Sequence, residues 1–183
     1  NKIRKGSNID ELKWLSVPVD KKDQKKNITD IKISKENNNW RNYHINSIIF
    51  TYMKTPFFKK YSDSFFEIIS DKNIIYLKEL NMKLITLICK ILKIEKSFYY
   101  SSDLRLTDKG VERLIKICKI FECNNYLANN KTIENYGLET FEKEGINVIA
   151  QNYKDKRYNQ TYNNMNLNWI SNLSVIDRIF NIG

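Results

Sequence analysis

The stretch NNYLANNKTIENYGLETFEKEGINVIAQ, residues 124–151, decides the fold class. Its apolar runs Asn125–Leu127 and Ile146–Gln151 have the length and composition of short strands. The segment between them, Thr132–Glu144, has the spacing of apolar and polar residues that is typical of a helix. A strand, a helix and a second strand of these lengths form a βαβ unit, in which the strands are parallel. We therefore expect an α/β protein with a parallel or mixed sheet covered by helices.

The segments on either side extend this pattern. Residues 13–19 and 30–34 are apolar or alternating, and a lysine-rich turn from Asp20 to Asn27 separates them, which predicts an N-terminal β-hairpin. A further strand is predicted at Phe98–Ser101. Helices are predicted over Trp40–Met53, near Ser64–Ser70, over residues 75–95, after a cap at Thr107 or Asp108, and from Ser174. A chain of 183 residues is long enough for a single domain over residues 1–183.

Positive charge is concentrated near the N-terminus. The formal net charge is +10, and residues 1–60 contain 14 Lys and Arg against 6 Asp and Glu. Basic surfaces attract phosphate groups, whether on a nucleotide sugar, a phosphorylated carrier, a nucleic acid or an anionic lipid. A solvated lysine-rich surface without a ligand has the same composition, so charge alone leaves both interpretations open.

Several classes of site lack their characteristic residues. Cys89, Cys118 and Cys123 form no paired spacing, which indicates free thiols and a reducing, cytoplasmic environment. His44 is the only histidine, so the sequence predicts no histidine-based metal site and identifies no cofactor, and it leaves open a magnesium ion held by carboxylates. No apolar run approaches the about 18 residues that a membrane span requires. The motifs of dinucleotide, P-loop, serine hydrolase and zinc protease sites do not occur.

His44, Ser101 and Ser102 are candidates for catalysis, and Asp103 is a candidate for binding a ribose or sugar hydroxyl. Ser101, Ser102 and Asp103 follow the predicted strand Phe98–Ser101, and ligands of parallel sheets bind beyond the carboxyl ends of strands. Hydroxyl and N–H groups there can hold a phosphate, although an ordinary capped turn has the same composition. His44 has the ordinary pKa suited to a general base or acid, and a packed histidine beside Trp40 is the alternative.

Five further residues are candidates for binding a substrate. Tyr153, Tyr158 and Gln160 form a polar and aromatic cluster that could stack on a base or sugar, or could be a packed loop. Arg113 could direct its guanidinium at a phosphate, although pairing with a surface carboxylate is the more common use. Asp177 lies in the final predicted helix, where we favour a structural carboxylate over a catalytic one.

Short segments along the whole chain share a characteristic order and spacing. They are Trp14–Val19, Trp40 with His44, Tyr52–Phe58, Ser101–Leu104, Glu112–Ile115, Asn125–Asn129, Gly145–Val148, Tyr153, Tyr158–Gln160 and Leu173–Gly183. In this respect the chain resembles the WbqC-like family, bacterial proteins encoded among surface-polysaccharide genes. Members of that family typically begin with two strands that would precede Asn1 here. We therefore expect a truncated N-terminus, with part of the site outside this sequence.

The resemblance implies a role in O-antigen or related surface-glycan biosynthesis. The implied reaction transfers a small acyl or aminoacyl group, such as glycine, to the amine of a sugar. In that scheme His44 is the base and Ser101 and Ser102 stabilise the oxyanion. Arg113 and the N-terminal lysines contact the phosphates of a nucleotide sugar or carrier. The family's Tyr-Leu-Ser-Gly stands here as Tyr126-Leu127-Ala128-Asn129, so the loop after Tyr126, another expected binding residue, lacks a hydroxyl and a glycine.

Two alternatives belong to other functional classes. The basic loop Lys21–Lys26 and the many aromatic residues could form a nucleic-acid-binding module, although no RRM, KH or helix-turn-helix motif occurs, which makes nucleic acid the less favoured partner. The chain could also be a non-catalytic scaffold for glycan enzymes. The sequence leaves the oligomeric state open.

Overall fold

The computed structural model describes residues 2–5, 12–23, 25–36, 39–136, 138–161 and 169–183. These residues form a mixed α/β fold in which helices dominate, with an antiparallel N-terminal hairpin and a parallel pair of strands. The predicted fold class is confirmed. The chain forms two compact units, the first made of Asn1–Lys96 and Asp155–Gly183 and the second of Ser97–Lys154. The assignment of one domain to the whole chain stays a prediction.

The helices and strands follow one another along the described part of the chain. They are β1 (Lys2–Arg4), β2 (Leu12–Trp14), α1 (Trp40–Tyr52), α2 (Phe58–Ser70), α3 (Leu77–Ile91), α4 (Gly110–Ile120), β3 (Asn125–Ala128), α5 (Asn130–Tyr136), α6 (Glu139–Lys143), β4 (Asn147–Ala150) and α7 (Val175–Ile182). Two short 3₁₀ turns occupy Lys21–Asp23 and Ile28–Asp30. No helix among the described residues is long and apolar enough to cross a membrane.

The core of the first unit is built around the aromatic ring of Phe180 on α7. The ring centroid lies 5.4 Å from that of Tyr52 on α1 and 5.7 Å from that of Phe65 on α2. Phe180 and Ile179 are completely buried, and Leu80 brings α3 into the same core. Burial of these large apolar side chains positions the four helices. Each fully buried side chain stabilises the fold by about 1.5–3 kcal/mol relative to the same side chain exposed to water.

The N-terminal hairpin is formed by different segments from those predicted. β2 pairs antiparallel with β1, whereas residues 13–19 and 30–34 share a single antiparallel bridge between Val19 and Ile33. Pro18 lies next to that bridge and has no N–H group, so it cannot extend a ladder of hydrogen bonds. In the intervening lysine-rich turn, Asp23 is buried and its carboxylate pairs with Lys26 at 2.7 Å.

The second unit contains the predicted βαβ arrangement. β3 and β4 are parallel and in register from the Asn125–Asn147 pair to the Ala128–Ala150 pair. Ile115, Cys118, Phe141 and Ile146 form the small core beneath them. In place of one helix over Thr132–Glu144 there are two, α5 and α6, on either side of Gly137, which lies outside the described residues.

Two predictions about the segment before α4 are wrong. Phe98–Ser101 forms no strand, because its side chains are exposed with no neighbouring strand to pair with, and β propensity depends on such a context. α4 begins at Gly110, later than a cap at Thr107 or Asp108 would place it, and the Asp108 carboxylate accepts hydrogen bonds from Lys116 at 2.8 Å. Ser101, Ser102 and Asp103 therefore lie in a turn that follows no strand.

Candidate functional site

An open cleft in the first unit lies where the end of β2 meets the start of α1. Its volume is about 510 Å³, within the range of about 300–1,000 Å³ typical of small-molecule sites. The residues that line it are mostly aromatic or small and polar: Trp14, Ser16, Pro18, Asn39, Trp40 and Tyr43. We refer to this site as the aromatic cleft.

Two of the rings in the aromatic cleft are available to a ligand. Trp14 is 66% exposed and Tyr43 is 51% exposed, whereas Trp40 is buried at its base. The ammonium group of Lys13 lies 4.1 Å from the centroid of the Tyr43 ring and donates a 2.7 Å hydrogen bond to Ser47 Oγ. A positive charge is therefore held against a ring that lines the cleft.

His44 lies directly behind the aromatic cleft. Its Nε2 is 3.2 Å from the carbonyl oxygen of Ser16, and its ring packs edge-on against Trp40 with a centroid distance of 5.0 Å. A carbonyl oxygen only accepts hydrogen bonds, so Nε2 carries the hydrogen atom and Nδ1 is the unprotonated nitrogen. The side chain fixes the segment around Ser16, which lines the cleft, onto α1.

Burial weakens the basicity of His44. The pKa of its imidazole falls to about 4, mainly because the surrounding protein replaces the water that would solvate the charged form. The imidazole is therefore neutral at pH 7, and its affinity for a proton is low compared with that of a general base whose pKa lies near the working pH. The role of His44 as the catalytic base stays a prediction.

A second cluster in the first unit brings together three of the predicted binding residues. Tyr158 donates a 2.6 Å hydrogen bond to Oδ1 of Asp177, and Nε2 of Gln160 is 3.4 Å from the same oxygen. Arg4, from β1, donates a 2.7 Å hydrogen bond to Oε1 of Gln160. Arg4, Gln160 and Asp177 are each only 1% exposed. We call these four residues the Asp177 cluster.

The chemistry of the Asp177 cluster is that of a buried acid. Burial raises the pKa of the Asp177 carboxyl above its usual value, and the hydrogen bond from Tyr158 opposes that shift. Burial and the carboxylate also raise the pKa of the Tyr158 hydroxyl, which stays protonated and donates. Asn181, one turn along α7, donates to the backbone oxygen of Asp177 at 2.7 Å. This arrangement satisfies polar groups inside the core and supports the structural role favoured from the sequence.

The sequence that builds the aromatic cleft and the Asp177 cluster matches the model of a known family. The model of the WbqC-like protein family matches residues 1–183. The chain belongs to the WbqC-like protein family. No curated protein and no solved structure gives a significant match.

In this WbqC-like chain the second unit holds the other predicted residues around Arg113. Its guanidinium donates hydrogen bonds of 3.3 Å to the backbone oxygens of Ser101 and Leu106. Ser102 donates to the neighbouring Asp103 carboxylate at 3.2 Å. The structure thus brings Arg113 together with the Ser101–Asp103 turn, where its donors bind backbone oxygens.

The remaining predicted residues of the WbqC-like chain have different surroundings. Tyr126 is stacked on Phe141 with centroids 5.2 Å apart and belongs to the small core of the second unit. Tyr153 follows β4 and is 66% exposed. His44 belongs to the first unit, whereas Ser101 and Ser102 belong to the second. Within the described ranges, no three His, Cys, Asp or Glu residues lie close enough together to hold a metal ion.

Sequence reasoning missed the exposed residues of the aromatic cleft and Arg4. Trp14 was part of a recognised segment, but an aromatic residue in a short strand is ordinarily read as a core residue. Tyr43 precedes His44 on α1, and the helical periodicity places it on the outer face, which gave no sign of a cleft. Arg4 lies 156 residues from Gln160, so no local pattern connects them.

Proposed function

We propose that this WbqC-like protein acts in surface-glycan biosynthesis and binds a nucleotide sugar in the aromatic cleft. The observation that carries the proposal is the pair of exposed rings, Trp14 and Tyr43, in a cleft of about 510 Å³. One face of a sugar ring carries several C–H groups and packs against an aromatic ring, and a nucleobase stacks on such a ring in the same way. Lys13 supplies positive charge close to where a diphosphate would lie.

The reaction we propose is transfer of a small acyl or aminoacyl group to the amine of the bound sugar. The amine nitrogen forms a bond to the acyl carbon, the bond from that carbon to the donor's leaving group breaks, and the amine loses a proton to a base. His44 as that base, and Ser101 and Ser102 as donors to the oxyanion, stay predictions. Transfer measured with His44→Gln and Ser102→Ala tests both roles, and undiminished transfer in both variants contradicts them.

Binding is tested first, by calorimetric titration with a panel of nucleotide sugars. We expect saturable binding that Trp14→Ala weakens by about 5- to 150-fold, since a base stacked on an aromatic ring contributes about 1–3 kcal/mol. Phe50→Ala is the matched control, because Phe50 is 68% exposed on α1 and does not line the aromatic cleft. An equal loss in both variants, or no binding by any nucleotide sugar, contradicts the proposal.

The alternatives predict binding of other ligands when those ligands replace nucleotide sugars in the titration. Salt-sensitive binding of single-stranded oligonucleotides, without binding of nucleotide sugars, favours the nucleic-acid module. Tight binding to another glycan enzyme, with no small-molecule ligand, favours the scaffold. The basic segment Lys21–Lys26 is the surface to alter in the first case, because its lysines are mostly exposed.

A further inference from the structure

An apolar pocket of about 100 Å³ lies inside the first unit, behind the aromatic cleft. Its inner wall is made of buried side chains from several helices, including Ile48 on α1, Phe65 on α2 and Phe180 on α7. Trp40 lines both this pocket and the aromatic cleft. His44 also lines the pocket, and its Nε2 binds Ser16 of the cleft.

The outer wall of the apolar pocket is only half-buried. It consists of Asn81, Leu84 and Ile88 on α3 together with Ser174 and Val175 at the start of α7. Apart from His44 the interior of the pocket is apolar, and its outer wall includes the polar residues Asn81 and Ser174. A ligand that matches this distribution has a short hydrocarbon chain and a polar group at one end.

We propose that the apolar pocket binds a short, unbranched aliphatic acyl group of about four carbon atoms. An apolar cavity of about 150 Å³ accepts benzene, which has six carbons, so about 100 Å³ accommodates about four. The chain is buried against Ile48 and Phe65, and the acyl carbonyl lies at the half-buried side near Asn81. Release of water from the chain drives binding.

As the acyl donor's site, the pocket deepens the proposed function and rests on it. Trp40 lines both the aromatic cleft, where the sugar binds, and the apolar pocket, where the acyl chain binds, and His44 lines the pocket. The two binding sites are therefore neighbours that share the Trp40 side chain. An aliphatic interior favours a hydrocarbon acyl group over a glycyl group, whose ammonium would lose its solvation there.

The probe for this proposal is a series of N-methylalkanamides, titrated into the whole chain and followed by NMR of its labelled Ile and Leu methyl groups. From N-methylacetamide to N-methylbutanamide we expect binding to tighten about tenfold, since each buried methylene contributes about three- to fourfold. N-methylhexanamide should gain less than about twofold more. Equal affinity across the series, or a continued gain at six carbons, overturns the proposal.

Leu84→Trp and Ile85→Trp form a matched pair on α3. Leu84 lines the apolar pocket, whereas Ile85 is 40% exposed and does not. Leu84→Trp should fill the pocket and abolish the dependence on chain length, and Ile85→Trp should retain it. If Leu84→Trp does not fold, nuclear Overhauser contacts in the unaltered protein decide: contacts from the amide's terminal methyl to Ile48 support the proposal, and their absence overturns it.

The outcomes separate this proposal from the proposed function. Trp14→Ala should lose nucleotide sugars and still bind N-methylbutanamide. If no nucleotide sugar binds while the amide series behaves as expected, the sugar-binding function fails and the aliphatic site stands. If nucleotide sugars bind and the amides do not, the aliphatic site alone is overturned.

Discussion

The hydroxyl of Tyr158 lies 2.6 Å from Oδ1 of Asp177 and donates a hydrogen bond to it. This bond links two parts of the first unit. Tyr158 lies in the extended segment where the chain returns to that unit, and Asp177 lies on the final helix, α7. Both residues were candidates for binding a substrate. Because Asp177 is 1% exposed, burial raises the pKa of its carboxyl, and the stability of the first unit therefore depends on pH.

Asp177→Asn should change the pH dependence of unfolding. Burial raises the pKa of Asp177, so the folded state holds the proton more tightly than the unfolded state does. Its contribution to stability is full below the usual pKa of 3.8 and is lost as the pH rises through the raised value. Relative to Asp177→Asn, the free energy of unfolding of the unaltered protein should therefore fall as the pH rises from about 4. Urea titrations of both proteins between pH 4 and 8 measure this. The prediction is contradicted if the free energy of unfolding of the unaltered protein, minus that of Asp177→Asn, increases with pH.

Gln160→Leu should destabilise the first unit by about 3 kcal/mol, because it leaves buried polar groups without partners. The Gln160 amide accepts from Arg4 at 2.7 Å and donates to the backbone oxygen of Ile170 at 2.9 Å. Asn159→Leu changes the exposed neighbour and should stay within about 0.5 kcal/mol. Chemical denaturation measures both, and similar effects in the two variants would show that the buried network contributes little.

His44→Gln should flatten the pH dependence of stability between pH 4 and 6.5. Burial lowers the pKa of His44 to about 4, so the unfolded state binds a proton first as the pH falls. The stabilisation is present above pH 6.5 and is lost as the pH falls through about 4, by up to about 3 kcal/mol. Glutamine keeps a donor for the Ser16 carbonyl. NMR titration of His44 provides the direct measurement, and an apparent pKa near 6.5 would rule out this effect.

Arg113→Ala should loosen the turn that contains Ser101 and Asp103. The guanidinium donates to the backbone oxygens of Ser101 and Leu106, and losing both bonds should cost about 1–2 kcal/mol. Amide hydrogen exchange should accelerate at Asp103, whose N–H donates to Tyr100 at 3.0 Å. Glu112→Ala alters the exposed neighbour on α4 and serves as the control. If amide hydrogen exchange at Asp103 is unchanged in Arg113→Ala, the prediction is wrong and Arg113 does not hold the turn. The phosphate contact expected from the sequence is then the alternative role for the arginine.

Local patterns predicted the elements whose formation depends on local spacing. α3 and α7 appear close to their predicted bounds, because an apolar stripe at helical spacing has one favourable way to be buried. α1 also appears close to its predicted bounds, although its buried face includes Arg41, His44, Ser47 and Thr51. The pairing of β3 with β4 followed from the helical segment between two apolar runs. The strand expected at Phe98–Ser101 failed because a strand requires a neighbour, which residue type does not supply.

The candidate site could be predicted only in part, for the same reason. Tyr158, Gln160 and Asp177 were chosen for their chemistry and do come together, 17 to 19 residues apart in sequence. Arg4 could not be chosen with them, since its contact with Gln160 spans 156 residues. Residue type does not distinguish a tyrosine that stacks on a ligand from a tyrosine in the core. For Tyr126, only the packing on Phe141 shows that it is a core residue.

The sequence by itself determined the fold class and the family. These follow from periodicity and from the order of short segments, which are properties of the chain alone. The tertiary structure decided which strand pairs with β2, that Trp14 and Tyr43 line one cleft, and that His44 is too desolvated to hold a proton readily. Burial and long-range pairing are properties of the packed chain, because both depend on neighbours that sequence spacing does not specify.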